Sequence, residues 1–168
     1  QSGEAEFGVT IVAANRWDLE LKPVVKEPFV LVSHRRMPLA GASSLTWAQL
    51  QDEPLVRISA ETGNRILLDD ALGARRETLS WRYEVQRGVT AVSLVRSGIG
   101  YAIVPQLALD VVDAGDLVAV PLRSPSVTRT LGIITRKTVP LRAPARDLLS
   151  LLSQALKRSV APRRDESK

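Results

Sequence analysis

The residues best suited to chemistry form a cluster of hydrogen-bond donors at a predicted strand-to-helix turn. They carry hydroxyl, amide or guanidinium groups, and they are Ser59, Thr62, Gly63, Asn64 and Arg65. A helix N-terminus at this turn adds unpaired backbone N–H groups and the positive end of the helix dipole. The cluster therefore predicts a binding site for a carboxylate or another small anion. The alternative is structural, with Thr62 capping the helix and Arg65 solvated.

Two further strand or helix ends offer groups to the same ligand. Thr90 lies near the start of a later predicted helix, where its hydroxyl either contacts a ligand or caps the helix. Val104 and Pro105 end a short apolar run, where a rigid turn either lines a cleft or is an ordinary loop. In α/β proteins, ligands bind beyond the carboxyl ends of parallel strands, which is where both places are expected.

Other site chemistries find little support. His34 is the only histidine and cysteine is absent, so we expect a surface histidine, no metal site and no disulfide. No Ser-His-Asp grouping or phosphate loop is recognisable, and Gly98 and Gly100 lack the next glycine of a dinucleotide fingerprint. We therefore expect no catalytic residues, no cofactor and no enzyme activity.

The elements that must position these groups alternate between strand and helix. Short apolar runs predict strands at 7–12, 28–33, 55–58, 81–85, 101–105, 117–120 and 129–135, with an extended segment at 19–23. Helical spacing predicts helices at 64–72, 89–97 and 106–112, the first two ended by Gly73 and Gly98. A closing helix begins near Pro144 and is expected to bury Leu148, Leu149, Leu152 and Leu156. This order predicts an α/β fold with a mainly parallel sheet.

Charge and hydropathy narrow the class of protein. The 168 residues have a formal net charge of +5, but the basic residues are scattered, which favours a solvated surface over a nucleic-acid interface. No apolar run approaches the length that a bilayer requires, and the N-terminus lacks the layout of a signal peptide. We therefore expect a cytoplasmic protein without a membrane partner.

Eight segments, in order, carry a resemblance to one family. They are GEAEFGV at 3–9, EPFVLV at 27–32, PLA at 38–40, LTWAQL at 45–50, EVQ at 84–86, LVRSGIG at 94–100, AIVP at 102–105 and LVAVPL at 117–122. Together they resemble the effector-binding domain of LysR-type transcriptional regulators over about residues 3–156. Each motif is weak alone, and their order and spacing make the signal specific.

The resemblance implies a type-2 periplasmic-binding-protein fold, in which two Rossmann-like lobes hold a small-molecule effector between them. Residues 1–23 and 129–160 then resemble parts of an incomplete first lobe, and 24–128 the second lobe. The polar composition of residues 161–168 separately predicts a disordered tail. The family's effector contacts the segment matching 59–65, and on the first-lobe side it faces the strand matching Thr10 and Ile11.

The family also implies partners beyond the effector. Its members form homodimers or tetramers and bind DNA through an N-terminal winged helix-turn-helix, to which no residues here correspond. We therefore expect a fragment, produced by proteolysis or by design, that contacts DNA only through the parent protein. Two other classes share the fold: a solute-binding protein of a transport system and a small-molecule enzyme. The LTWAQL motif at 45–50 favours the regulator.

Overall fold

The structure is a computed structural model that describes residues 5–12, 19–59, 63–110 and 115–160. These residues form eight strands and three α-helices: β1 Phe7–Ile11, β2 Leu19–His34, β3 Leu45–Thr46, β4 Leu55–Ile58, α1 Gly63–Leu72, β5 Trp81–Val85, α2 Gly88–Arg96, β6 Tyr101–Pro105, β7 Leu117–Arg123, β8 Thr128–Arg136 and α3 Ala143–Val160. Short 3-10 helices lie at Pro38–Gly41, Trp47–Leu50, Gly73–Thr78 and Gln106–Leu109.

The chain divides into two compact units. Unit 2 is the continuous stretch Pro28–Arg129, whereas unit 1 combines Gln1–Glu27 with Thr130–Lys168. Strands β2 and β8 each contribute residues to both units. The lobe boundaries expected from the sequence fall at 23/24 and 128/129, and the predicted tail at 161–168 lies outside the described residues.

The sheet of unit 2 is mixed: the prediction of a mainly parallel sheet holds for the pairs β3–β7, β4–β5 and β4–β6 but not for β2. Its strand order is β3-β7-β2-β6-β4-β5. Strand β4 runs parallel to both β5 and β6, whereas β2 runs antiparallel to both β6 and β7. A parallel connection needs a crossover such as α1 or α2, and the segment that follows β2 contains only short 3-10 helices and β3. The alternation of strands and helices therefore holds only from β4 to β6.

The core of unit 2 covers both faces of this sheet. Neighbouring residues of β2 point to opposite faces, so Phe29 and Leu31 join one buried cluster while Val30 and Val32 join the other. Helix α1 adds Leu68 and Leu72 to the first cluster. Helix α2 adds Ala91, Val92 and Val95 to the second. The two helices thus cover opposite faces and fix the position of their own first turns.

Glycine ends α1 and α2, as the sequence predicts. Gly73 and Gly98 have φ of 54° and 75°, the left-handed region in which glycine lacks the steric penalty of a side chain. Beyond α2, the Gly98 N–H donates to Val95 O at 2.9 Å and the Ile99 N–H to Leu94 O at 3.3 Å. This is the Schellman pattern, which satisfies the last carbonyls of a helix.

Unit 1 has a small sheet in the order β1-β8-β2. Strand β1 pairs antiparallel with β8, with Phe7 opposite Thr135 and Ile11 opposite Leu131. The segments at 19–23 and 28–33, expected as separate, belong to the single strand β2. Both Pro23 and Pro28 lie within it, because proline's fixed φ still permits extended backbone although it removes a donor.

Two predicted helices need correction. Residues 106–112 were expected to be helical, but the described part has only the 3-10 helix Gln106–Leu109. Helix α3 buries none of its described residues: Leu148 is 57% exposed, and Leu149, Leu152 and Leu156 are half-buried. The apolar stripe was visible in the sequence, but the amount of structure that covers it depends on tertiary contacts.

Within the described residues, no helix is both long and apolar enough to cross a bilayer.

Candidate functional site

The carboxyl ends of three parallel strands meet at one edge of the unit 2 sheet. After β4, the Ser59 N–H donates to the Val85 carbonyl at the end of β5 across 2.8 Å. A Cβ placed on Gly88, the first residue of α2, would lie 3.4 Å from Ala108 and 3.9 Å from Ile58. Pairing between β4, β5 and β6 thus brings the predicted strand-to-helix turns together. We call this the carboxyl edge of unit 2.

Asn64, in the first turn of α1, is joined to an arginine that the sequence interpretation did not select. The Arg129 Nη1 donates to Asn64 Oδ1 across 2.7 Å, and both residues are half-buried. Arg129 reaches this position because Phe29 N–H donates to Val127 O at 2.9 Å, while Phe29 lies opposite Pro105 in the β2–β6 register. The segment before β8 is thereby held beside Phe29 of β2, which on its other side pairs with the carboxyl end of β6.

The predicted hydrogen-bond donors at the turn before α1 differ in their exposure. Gly63 is exposed and begins α1, and Ser59 is half-buried after β4. Thr62 lies outside the described residues. The first N–H groups of α1 have no partner within their own helix, as at any helix start.

Arg65 forms an ion pair with Asp69, and its assignment to the effector site stays a prediction. Its Nε lies 2.6 Å from Asp69 Oδ2, one turn along α1, and the two side chains are 14% and 22% exposed. Its Nη1 is buried and has no hydrogen-bond partner among the described residues. The carboxylate of Asp69 largely offsets the positive charge that an incoming anion would meet. The i to i+4 spacing of the pair was visible in the sequence.

Thr90 occupies the third position of α2 rather than its cap. The N-cap residue is Arg87, which makes no side-chain capping hydrogen bond, and the Thr90 N–H donates to Arg87 O at 3.1 Å. The Thr90 side chain is exposed. Its hydroxyl is thus not the cap that the structural alternative required.

Val104 and Pro105 form the end of β6, and both are buried. Val104 pairs with Val30, and its side chain belongs to the core cluster that packs against α2. Only main-chain atoms of Val104 are therefore placed to meet a ligand at this edge. Pro105 ends the strand and precedes the 3-10 helix Gln106–Leu109.

Thr10 and Ile11 lie in unit 1, at the end of β1. Thr10 pairs with Gly132, and its hydroxyl donates to Ile11 O at 3.4 Å. Both residues are half-buried. Their assignment to the effector site stays a prediction.

Among the described residues, no group of three or more histidine, aspartate or glutamate side chains could hold a metal ion. The Nδ1 of His34 accepts a hydrogen bond from the Arg36 N–H at 3.1 Å, an ordinary turn contact. The chemistry available at the carboxyl edge is thus hydrogen bonding and charge attraction.

The comparison with known protein families shows which family this chain belongs to. The model of the LysR substrate binding domain matches residues 1–157. The chain belongs to this family. This LysR substrate-binding domain is 33% identical over 149 residues to the uncharacterized HTH-type transcriptional regulator YbhD of Escherichia coli (strain K12), covering 89% of the chain and 47% of YbhD. It is 31% identical over 109 residues to the HTH-type transcriptional regulator BudR of Raoultella terrigena, covering 62% of the chain and 38% of BudR.

Solved structures show the same fold for this LysR domain. The CcmR regulatory domain of Synechocystis PCC6803, in complex with 2-PG, superposes with a TM-score of 0.74 at 19% identity, covering 92% of this chain and 74% of that one. The effector binding domain of QuiR, in complex with shikimate, gives 0.70 at 18% identity, covering 91% and 72%. The α/β, type-2 periplasmic-binding-protein fold expected from the sequence is confirmed. The LysR domain spans about half the length of the curated relatives YbhD and YfeR.

Proposed function

We propose that this LysR effector-binding domain binds a small organic carboxylate at the carboxyl edge of unit 2. The observation that carries the proposal is the hydrogen bond between Arg129 and Asn64 at the first turn of α1. It holds a guanidinium beside a helix N-terminus, where the helix dipole and the free N–H groups also favour negative charge.

The arrangement assigns separate tasks to the two residues. The Asn64 Oδ1 accepts from Arg129 and so orients the guanidinium, while the amide nitrogen of Asn64 is left as a donor. A carboxylate then receives a charge-assisted hydrogen bond from Arg129 and backbone N–H bonds from α1. Arg65, already paired with Asp69, has a smaller part than Arg129.

The remaining ligand contacts are predictions that rest on position. Ser59 follows β4, Gly63 begins α1 and Thr90 lies in the first turn of α2, while Thr62 is assigned from the sequence alone. Val104 and Pro105 would contribute main-chain surface at the end of β6, and on the unit 1 side the family suggests Thr10 and Ile11. The ligands named for CcmR and QuiR, 2-PG and shikimate, are small organic anions, which supports the class of effector.

The wider role follows from the relatives. YbhD and BudR are HTH-type transcriptional regulators, so we propose that the parent protein binds DNA through a separate domain, acts as a homodimer or tetramer in the cytoplasm and has no enzyme activity. The same matches favour a regulator over the solute-binding protein of a transport system. Effector binding would shift the population of the regulator's assemblies by its differential affinity for them.

A carboxylate library tests the site. Thermal-shift screening of the full chain should reveal ligands that raise the melting temperature, and calorimetry then gives their affinity. Arg129→Gln should weaken binding at least tenfold, because it removes the charge and alters the partner of Asn64. Arg65→Ala should weaken it less.

Arg123→Gln is the matched control, since it removes an exposed arginine of β7 and should leave the affinity unchanged. Two results would refute the proposal: a library without any stabilising carboxylate, or a ligand that binds Arg129→Gln as tightly as the original chain.

A further inference from the structure

Unit 1 contains a groove that the proposed effector site does not use. Its volume is about 320 Å³, and strands β2 and β8 and helix α3 all contribute to its lining. This volume is at the lower end of the range typical of small-molecule sites. All of the lining residues belong to unit 1, so the groove is built within one compact unit.

The groove has an apolar surface formed by strand and helix residues. Val24 of β2, Ile133 of β8 and Leu149 of α3 all line it, and Leu141 adds to the same surface from the segment before α3. Ile133 is 3% exposed, whereas Leu149 is only half-buried. Apolar surface that stays open to water favours the binding of an apolar group, because burial removes it from water.

Charged groups lie at two places on the lining. Lys22 is on the same face of β2 as Val24, and Lys157 is two turns along α3 from Leu149. Both side chains are exposed, and neither ammonium group forms an ion pair within the described parts of the chain. Glu20 is the acidic residue of the lining, so the groove has a net formal charge of +1 from its two lysines and one glutamate.

We propose that this groove is a second ligand site, which takes an amphipathic organic monoanion such as a medium-chain carboxylate. The apolar chain would lie against Val24, Ile133 and Leu149, and the carboxylate would meet the ammonium groups of Lys22 and Lys157. Both lysines line the groove and are exposed, and a lysine stem can cover apolar surface while its charged end stays in water, where an anion can reach it. This site is independent of the carboxyl edge of unit 2.

Octanoate is a suitable probe, and the experiment uses calorimetry on the full chain. Octanoate should bind saturably, whereas acetate, which lacks the chain, and octylammonium, which has the opposite charge, should not. The double substitution Lys22→Gln and Lys157→Gln should weaken octanoate binding at least fivefold. Lys26→Gln, on the same strand but outside the lining, is the matched control and should leave it unchanged.

Two further variants make the outcome decisive. Ser153→Phe should fill the groove and abolish octanoate binding, with the melting temperature showing that the variant is folded. Arg129→Gln separates this site from that of unit 2: binding lost in Arg129→Gln but kept in the double lysine variant would overturn the proposal. So would equal binding of octanoate and octylammonium, or no octanoate binding. Failure of the unit 2 site alone would leave octanoate binding intact.

Discussion

The guanidinium of Arg129 and the side-chain amide of Asn64 are joined by a 2.7 Å hydrogen bond between residues 65 positions apart in the chain. One lies in the first turn of α1 and the other at the start of β8. The bond therefore joins the last residue of unit 2 to the first turn of α1. Its energy and its role in binding can be measured separately.

A double-mutant cycle should measure the coupling between these two side chains. Asn64→Ala and Arg129→Gln should each destabilise the chain, and together they should cost about 1 kcal/mol less than their sum, because both remove the same charge-assisted hydrogen bond. Urea unfolding of the four proteins gives the coupling free energy. Strict additivity would show that the contact contributes nothing to stability.

Gly100 should tolerate no side chain, because a Cβ there would lie 2.1 Å from the Pro54 carbonyl oxygen. The same oxygen accepts the Tyr101 N–H at 2.9 Å, so a shift would also disturb this bond between neighbouring segments. Gly100→Ala should lower the free energy of unfolding by about 2–3 kcal/mol. Gly41→Ala is the control, since no atom lies within 4 Å of its Cβ position, and equal effects would contradict the packing argument.

Tyr101 should make stability fall at high pH. Its side chain is buried, its hydroxyl has no well-oriented hydrogen-bond partner among the described residues, and burial raises its pKa above the ordinary 10.0. The folded state binds the phenolic proton of Tyr101 more tightly than the unfolded state does. The resulting contribution to the free energy of unfolding is complete below pH 10 and is lost as the pH rises beyond it.

Tyr101→Phe tests this directly. At neutral pH it should change the free energy of unfolding by less than about 1 kcal/mol, since no well-formed hydrogen bond is lost. Above pH 10 the phenylalanine variant should lose less stability than the original chain, measured by chemical unfolding at each pH. Parallel pH profiles for the two proteins would contradict the assignment.

Glu6 should stabilise unit 1 only while it is ionised. Its Oε1 accepts from Arg142 Nε at 2.8 Å and its Oε2 from the Arg142 backbone N–H at 3.0 Å. The side-chain bond is the larger cause that holds the pKa of Glu6 below 4.5, and the backbone bond is the next. The contribution of ionised Glu6 to the free energy of unfolding is therefore present above pH 4.5 and is lost as the pH falls through the lowered pKa of Glu6.

The comparison of Glu6→Gln with the original chain measures this effect. Their urea midpoints should differ at pH 7 and converge as the pH falls below 4.5, and Arg142→Gln should reduce this dependence, since it removes the side-chain bond but keeps the backbone N–H bond. A difference that stayed constant with pH would show that ionisation of Glu6 is not involved.

Local signals in the sequence predicted the elements that depend on local chemistry. Strands β5 and β6 have the predicted bounds, and Gly73 and Gly98 end the helices because only a residue without a side chain adopts their φ cheaply. The sequence predicts the two ends of β2 as separate segments at 19–23 and 28–33, because residues 24–27 between them continue neither pattern. The antiparallel pairing of β2 depends on distant strands and has no local signal.

In the candidate site, too, some features have a local sequence signal and others depend on long-range pairing. The strand-to-helix turn before α1 was identifiable from its donors, and the pairing of Arg65 with Asp69 could have been inferred from their spacing. Arg129 could not have been selected in this way, because its partner lies in a different segment and only the folded sheet brings the two together. Long-range pairing thus determines which cation faces the helix start.

The division of the chain also governs the order in which the domain can be assembled during translation. Unit 2 is a single stretch, so all of its residues have left the ribosome once Arg129 has emerged. Unit 1 must wait for β8 and α3, although its first strand is synthesised earlier. Among the described strands β1 pairs with β8, so the edge that β8 covers stays open to aggregation or to chaperones until the last part of the domain appears.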